Sequence, residues 1–197
     1  MNNFLTELLQ PNSAILNAKI FKNDFLKIPA TMSYNIEINL VEFEIENQKI
    51  NTSIYLDFIR LNIYNLQELE NSVFEFPINP KAGFIDGSIY LFDVHNPVDV
   101  SKIEFFSIKN NTLAATIYFS IDFEYENTNY CKVNNCELKL ILQFGELSID
   151  TDIINAENFD EKEVYELVSK TSYLNNYEKY QIKESEVTFK INRYPSN

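Results

Sequence analysis

Tryptophan is absent from the chain, histidine occurs once, and glycine appears three times in 197 residues. With only Gly83, Gly87 and Gly145, neither GxGxxG nor GxxxxGK[ST] can be written. Multi-glycine phosphate cradles are therefore excluded, as are collagen and Gly-rich linkers. The lack of Trp weakens any reading based on sugar stacking. One histidine means that any imidazole proton shuttle rests on His95 alone. Cys131 and Cys136 are the only cysteines, in YCKVNNCELK. A metal knuckle wants C-x₂-C twice or two added His, and neither is present. No apolar run approaches the ~18 residues of a membrane span. The start, MNNFLTELLQPNS, has neither the basic flank nor the apolar run of a secretory signal. These absences point to a cytoplasmic protein with two reduced, structural thiols; a local disulfide is the alternative.

Basic residues are scarce as well. Lys and Arg total 16 against 29 Asp and Glu, a net charge of −13. Divided after Val98, the two parts carry −6 and −7, so the excess is no acidic tail. Such a surface repels phosphate backbones and anionic lipid headgroups, so neither nucleic acid nor a membrane is an expected partner. It attracts a basic protein and speeds encounter with one. The plainer alternative is that the charge only keeps the domain soluble.

What is present is a globular composition: 45% hydrophobic, 14% aromatic, with sixteen Phe and twelve Tyr. No repeat, linker or low-complexity segment divides it, so residues 1–197 read as a single domain. Period-2 alternation dominates. Leu113, Ala115, Ile117, Phe119, Ile121, Phe123 and Tyr125 interleave with polar residues, as on a half-buried antiparallel strand. Its expected partner is 103–108, joined through Lys109, Asn110, Asn111 and Thr112, where two asparagines accept φ > 0. An earlier pair changes phase twice. Tyr34, Ile36, Ile38 and Leu40 give way to Val41, Phe43 and Ile45; Ile54, Leu56 and Phe58 give way to Ile59, Leu61 and Ile63. With a turn at Asn47, Gln48 and Lys49, the switches at 40/41 and 58/59 should face one another as bulges or a shared bend. A third switch, from Leu142 and Phe144 to Leu147 and Ile149, falls at Gly145, which suits a bulge.

Helices are few. Phe4, Leu5, Leu8 and Leu9, stopped by Pro11, suggest one short helix. Asp160 as N-cap with Glu163, stapled by Phe159 and Val164, opens another along Val164, Leu167 and Val168. A last strand follows at Val187, Phe189 and Ile191. The fold class is mainly β: an antiparallel β-sandwich, or a partly closed barrel, with one or two short peripheral helices.

Chemistry has few places to sit. Asp93 and His95 share a strand face by alternation, with Asn96 and Pro97 ending the strand, and Asp99 follows. An Asp beside a His orients a general base, with Ser88 or Ser101 as a distant nucleophile, yet no GxSxG elbow presents either serine. Asp86, Asp93, His95 and Asp99 could be drawn as a metal site, but no DxDxDG spacing supports it, and neither metal nor cofactor is expected. Glu42, Glu44 and Glu46, like Asp122, Glu124 and Glu126, alternate as on the solvated face of a sheet, where they also guard an edge. Several tyrosines fall off the apolar phases: Tyr118 on a polar strand face, and Tyr125, Tyr130, Tyr173, Tyr177 and Tyr180 near loops. Tyr beside carboxylates suits a basic partner. The tract 76–99 (FPINPKAGFIDGSIYLFDVHNPVD) is the densest in Pro and Gly and the most idiosyncratic, and carries no recognisable activity.

Three function classes follow. The first is a non-enzymatic acidic binding protein, in concrete form an immunity-type inhibitor from a bacterium that meets a basic toxin through Tyr118, Asp122, Glu124, Glu126 and Tyr130. The second is a hydrolase using Asp93, His95 and Asp99. The third is a β-barrel carrier of an apolar small ligand.

Overall fold

The computed structural model describes residues 4–25, 27–125, 130–150, 153–154, 160–172, 174–183 and 186–191. Among these described residues are twelve strands and one α-helix, with three short 3-10 turns. The strands are β1 (Pro11–Asn23), β2 (Ile28–Leu40), β3 (Phe43–Ile45), β4 (Gln48–Ile50), β5 (Ser53–Ile59), β6 (Val73–Glu75), β7 (Asp86–Leu91), β8 (Val94–Lys109), β9 (Thr112–Ile121), β10 (Val133–Ile149), β11 (Gln181–Lys183) and β12 (Glu186–Lys190); the helix α1 is Glu161–Thr171.

Seven strands close into a barrel in the order β1, β2, β5, β7, β8, β9, β10, and back to β1. Every pairing is antiparallel except the closure, where β1 runs parallel to β10 from Ala14 opposite Leu142 to Ile20 opposite Ile149. The expected antiparallel β-architecture is present in its closed form. In a barrel of about this size the interior is narrow enough for side chains to fill it. Leu16, Ile36, Ile54, Ile89, Ile117 and Leu142, one from each of six strands, are at most 1% exposed, and β8 adds Val100 and Phe105.

The β8–β9 hairpin turns where the two asparagines suggest, with Asn110 and Asn111 at φ 46° and 70°. No strand is expected over 11–23 from the alternation, yet β1 pairs along its whole length with β2. Its inward positions are Ala14, Leu16, Ala18 and Ile20, all buried. Two of the four are alanines, which weaken the apolar signal of a strand. The first helix is reduced to a 3-10 turn, Thr6–Leu8, whose flanking Phe4 and Leu9 are buried. The helix after Asp160 forms as expected and buries Val164 and Val168. Asp160 caps it by accepting from the Lys162 N–H; the stapling Phe159 lies outside the described residues.

Both early phase switches are real, but they do not face one another. The hairpin turns at Glu46 and Asn47, which have φ 53° and 62°, about three residues before the centre near Lys49 that facing switches would require. Leu40 is therefore bonded to Thr52, and the 40/41 switch marks the chain leaving the barrel for the small β3–β4 ribbon. The 58/59 switch is a bulge: Ile36 pairs with Leu56 but Tyr34 with Ile59, leaving an extra residue on β5.

Gly145 is a bulge as well, and it is the branch point of the sheet. β10 pairs with β9 as far as Gln143 and with β12 from Glu146 onward. Between these, Phe144 and Leu147 oppose Leu16 and Ala18, with one extra residue on β10. The amide oxygen of Asn17 fills the gap by accepting from the Glu146 N–H at 3.0 Å. A Cβ on Gly145 would meet that oxygen at 2.0 Å, whereas one on Gly87 would meet the backbone oxygen of Val98 at 2.2 Å. A side chain can give way; a paired backbone moves only with its strand. Gly87→Ala should thus destabilise by about 3 kcal/mol and Gly145→Ala by about half that, the usual range for overpacking. Chemical denaturation checks the order; equal costs, or the reverse, would contradict it.

Buried tyrosines give the fold an alkaline limit. Tyr34 and Tyr177 are buried, and Tyr177 donates to the Ser172 hydroxyl at 3.0 Å. Burial foremost pushes both phenols up, Tyr177 to about 12. The unfolded value is near 10, so the folded state holds these protons more tightly. The associated stability is complete below about pH 10 and lost as pH rises toward 12. Two units correspond to about 3 kcal/mol for Tyr177. Absorbance at 295 nm should show part of the twelve tyrosines ionising only together with loss of the circular dichroism signal. Full ionisation of a still-folded chain would refute this.

Candidate functional site

The outer wall of β8 carries the most chemistry. Asn96, Val98 and Val100 point inward and are buried, so His95, Pro97 and Asp99 face outward. The strand does not end at Asn96 and Pro97. The turn lies earlier, at Phe92 and Asp93 with φ 52° and 62°. The buried Asn96 amide ties that hairpin by donating to the carbonyls of Val94 and Ile89, at 2.8 and 3.3 Å. Asp93 is consequently a turn residue and not a strand-face neighbour of His95.

A cleft of about 570 Å³ opens along this wall. Eleven of its fourteen lining residues come from the idiosyncratic tract 76–99; the others are Asp122, Tyr125 and Lys132. The pairing of β8 with β9 sets Asp99 opposite Ser120 and Asp122 against Pro97, so the two carboxylates stand diagonally on the same outer face. Lys132 reaches both, its ammonium 4.0 Å from Asp99 and 3.7 Å from Asp122. Asp122 also shapes the chain after β9: its Oδ1 accepts from the N–H groups of Glu124 and Tyr125 at 3.1 and 3.0 Å. Tyr125 is left 67% exposed at the cleft. Asp86 completes the acidic lining, so three carboxylates oppose one lysine.

His95 belongs to the same cleft but not to an assembled catalytic group. It sits four residues from Asp99 on one strand, ~14 Å at ~3.4 Å per residue. Its ring packs edge-on against Tyr90 at 5.4 Å, and no hydrogen bond or ion pair joins it to Asp93 or Asp99. Ser88 lies opposite Pro97, and Ser101 donates to the Tyr118 carbonyl at 3.2 Å. Among the described residues no three His, Cys, Asp or Glu side chains are grouped to hold a metal ion.

The residues expected to meet a partner are scattered. Asp122 lines the cleft. Glu124 is exposed beyond the end of β9, its Oε1 accepting from the Lys132 N–H at 3.2 Å. The row 122, 124, 126 is therefore not a strand face, and Glu126 lies outside the described residues. Tyr118 is held in a network on the outer face of β8 and β9. Its hydroxyl donates to Glu104 at 3.1 Å, Lys102 sits 4.0 Å above its ring, and Lys102 and Glu104 bond at 2.7 Å. The Lys102 hydrogen bond holds the Glu104 carboxyl below the usual range. Tyr130 is a core residue, 6% exposed, packed with Phe4 and Phe123, its hydroxyl donating to Glu46 at 3.0 Å. Tyr177 is buried, Tyr180 packs against Phe189, and Tyr173 lies outside the described residues. Glu42 is paired with Lys49 at 2.9 Å. Cys131 and Cys136 are free thiols, and burial pushes the Cys136 thiol up.

Comparison with family models, with curated proteins and with solved structures finds no match to this chain. Among the described residues no helix is long and apolar enough to cross a membrane.

An exposed histidine with one ring contact contributes little to stability. His95→Gln should change the unfolding free energy by less than about 0.5 kcal/mol, as for ordinary surface positions. Tyr130→Phe, which leaves Glu46 without its donor, should cost about 1 kcal/mol. Thermal and chemical unfolding of the two variants tests the contrast, and a larger loss at His95 would refute it.

Proposed function

We propose that the chain is a non-enzymatic binding protein that docks on a basic protein, in concrete form a cytoplasmic immunity-type inhibitor of a basic toxin or nuclease. The observation that carries this reading is the open cleft in which Asp86, Asp99 and Asp122 face a single lysine, with the exposed Tyr125 at its side. A partner's Arg or Lys would meet two converging carboxylates there, in a chain whose net charge is −13. Arg suits such a site because its planar fork accommodates two carboxylates at once. Two free thiols agree with a reducing compartment.

The hydrolase reading has less support, because His95 stands ~14 Å along the strand from Asp99. The carrier reading has less support as well, because buried apolar side chains from all seven strands pack inside the barrel.

If the cleft receives a basic partner, association should be steered electrostatically. The Debye length falls from ~30 Å at 0.01 M to ~8 Å at 0.15 M salt. Stopped-flow association with a partner captured from the source cells should therefore slow about tenfold or more over that range, with a much smaller change in dissociation. Asp99→Asn with Asp122→Asn keeps the side-chain acceptors of the turn and removes two charges. It should slow association at low salt and flatten the salt dependence. A salt-independent on-rate, or a partner that is itself acidic, would reduce the charge to a solubility device.

A further inference from the structure

Beside the acidic cleft lies a second, apolar groove of about 290 Å³, and the two share Phe84 and Asp86. Phe21, Ile28, Phe58 and Phe84 provide its apolar wall, with Arg60 at its rim. The groove exists because of the β5 bulge. Alternation from Ile54 and Leu56 would send Phe58 into the barrel; the extra residue instead places Ile59 inside at 0% exposure and turns Phe58 out at 46%. Phe58 adopts φ 57°, a region uncommon for non-glycine residues and a genuine outlier for a bulky side chain. Its ring lies 5.2 Å from that of Phe21. Bulges that re-aim a side chain are enriched beside functional sites. Close by, the turn between Asn23 and Ile28, which both line the groove, presents Phe25 with 94% of its surface exposed.

Charge selects the occupant. Asp57 and Asp86 face each other across β5 and β7, a like-charge pair that is unfavourable in a sheet unless a cation is near. Burial foremost, and then Asp86, pushes the Asp57 carboxyl up, with Lys19 opposing. Asp86 borders both depressions, so a cation in the cleft and an apolar group in the groove lie next to one another.

We infer that the cleft and the groove form one bipartite site for a segment of a basic partner protein in which an aromatic or aliphatic side chain neighbours an Arg or Lys. The basic side chain enters between Asp86, Asp99 and Asp122, and the apolar one lies against Phe21, Phe58 and Phe84. The inference rests on the docking cleft proposed above and adds the apolar half and its specificity. An anionic apolar ligand held by Arg60 fits poorly, since Asp86 borders the same groove and the whole molecule is negative.

The test is a ¹⁵N-detected NMR titration of the full chain with the capped dipeptides Ac-Arg-Phe-NH₂, Ac-Phe-Arg-NH₂, Ac-Arg-Ser-NH₂ and Ac-Glu-Phe-NH₂. At least one Arg/Phe order should move amides of both sets, Gly87, Asp99 and Asp122 in the cleft and Phe58, Gly83 and Phe84 in the groove. It should bind about fivefold or more tighter than Ac-Arg-Ser-NH₂, which should move the cleft set alone. Phe58→Asn, chosen because Asn tolerates positive φ, should remove the Phe-dependent gain and leave the cleft shifts in place. Ile28→Ser provides the same test through β2 should the first variant not fold. If Ac-Arg-Ser-NH₂ moves the cleft amides but neither Phe-containing peptide binds more tightly, the bipartite site is overturned and the docking cleft stands. If no Arg peptide moves the cleft amides, both fail. Tighter binding of Ac-Glu-Phe-NH₂ than of either Arg/Phe peptide would assign the groove to an anionic ligand and overturn the inference.

Discussion

The barrel depends on the seam where β1 lies parallel to β10. Antiparallel hairpins build six of the seven contacts around the wall from neighbours in sequence or nearly so, but the seventh joins segments about 130 residues apart. At that seam β10 must leave β9, meet β1 and admit β12, and it does so within a few residues of Gly145. A bulge leaves a backbone N–H without its ladder partner, and a buried orphan of that kind costs ~1–3 kcal/mol. The Asn17 amide oxygen removes this cost by accepting from Glu146, while Ile191 donates to the Gly145 carbonyl at 3.1 Å. Only a residue without a side chain leaves room for that arrangement. Glycine is scarce in this chain, and one of its three copies stands where the sheet divides.

The alternating strands were legible because they are half-buried: polar and apolar positions separate cleanly on β9 and on the first half of β10. β1 was not, since alanine at two inward positions supplies little hydrophobic contrast next to the wider inward side chains of β2. Gly145 was readable as a bulge because the phase change and the residue type agreed. The hairpin after β2 shows the limit of phase alone. A phase change says that a strand alters its buried face, but not which residue lies opposite. That depends on the turn, and a shift of its centre by about three residues, from near Lys49 to Glu46 and Asn47, moves the facing position of Leu40 from near Phe58 to Thr52. Parallel closure left no local mark at all, because nothing in either strand records the direction of a partner so distant in sequence.

The candidate site divides in the same way. The tract 76–99 stood out by composition, and it supplies most of the cleft, but composition does not say what a loop folds against. Asp122 and Lys132 join it only through the register of β8 with β9 and the chain that follows, so no spacing in the sequence announces the cluster. The tyrosines illustrate the converse. Tyr118 and Tyr130 share a residue type with the exposed Tyr125, yet one is engaged by Lys102 and Glu104 and the other by Glu46 and a ring cluster. Aromatic residues near loops are ambiguous between a core that closes the barrel end and a surface that meets a partner. Only the position of the neighbouring carboxylates resolves it.

Buried apolar side chains fill the interior of this seven-strand barrel, and this bears on where recognition can occur. Inward positions are committed to packing, so a binding surface has to be made on the outer wall, where alternation normally leaves polar residues. Two devices change that pattern here. A long loop, 76–85, lies across β7 and β8 and converts an open sheet face into a cleft. A bulge on β5 shifts the phase by one residue and delivers Phe58, from an inward phase, to the surface beside that loop. The phase change that fails to explain the hairpin thus explains the groove: it exchanges Ile59 for Phe58 in the barrel, keeping the core filled while placing an aromatic ring next to Asp86. Phe58 packs on Phe21 but stays 46% exposed, so it forgoes about half of the ~1.5–3 kcal/mol that full burial of such a ring brings. On the proposed reading, a partner's apolar side chain laid against Phe58 would recover part of that burial, and the acidic wall beside the groove would favour partners that carry a cation next to it.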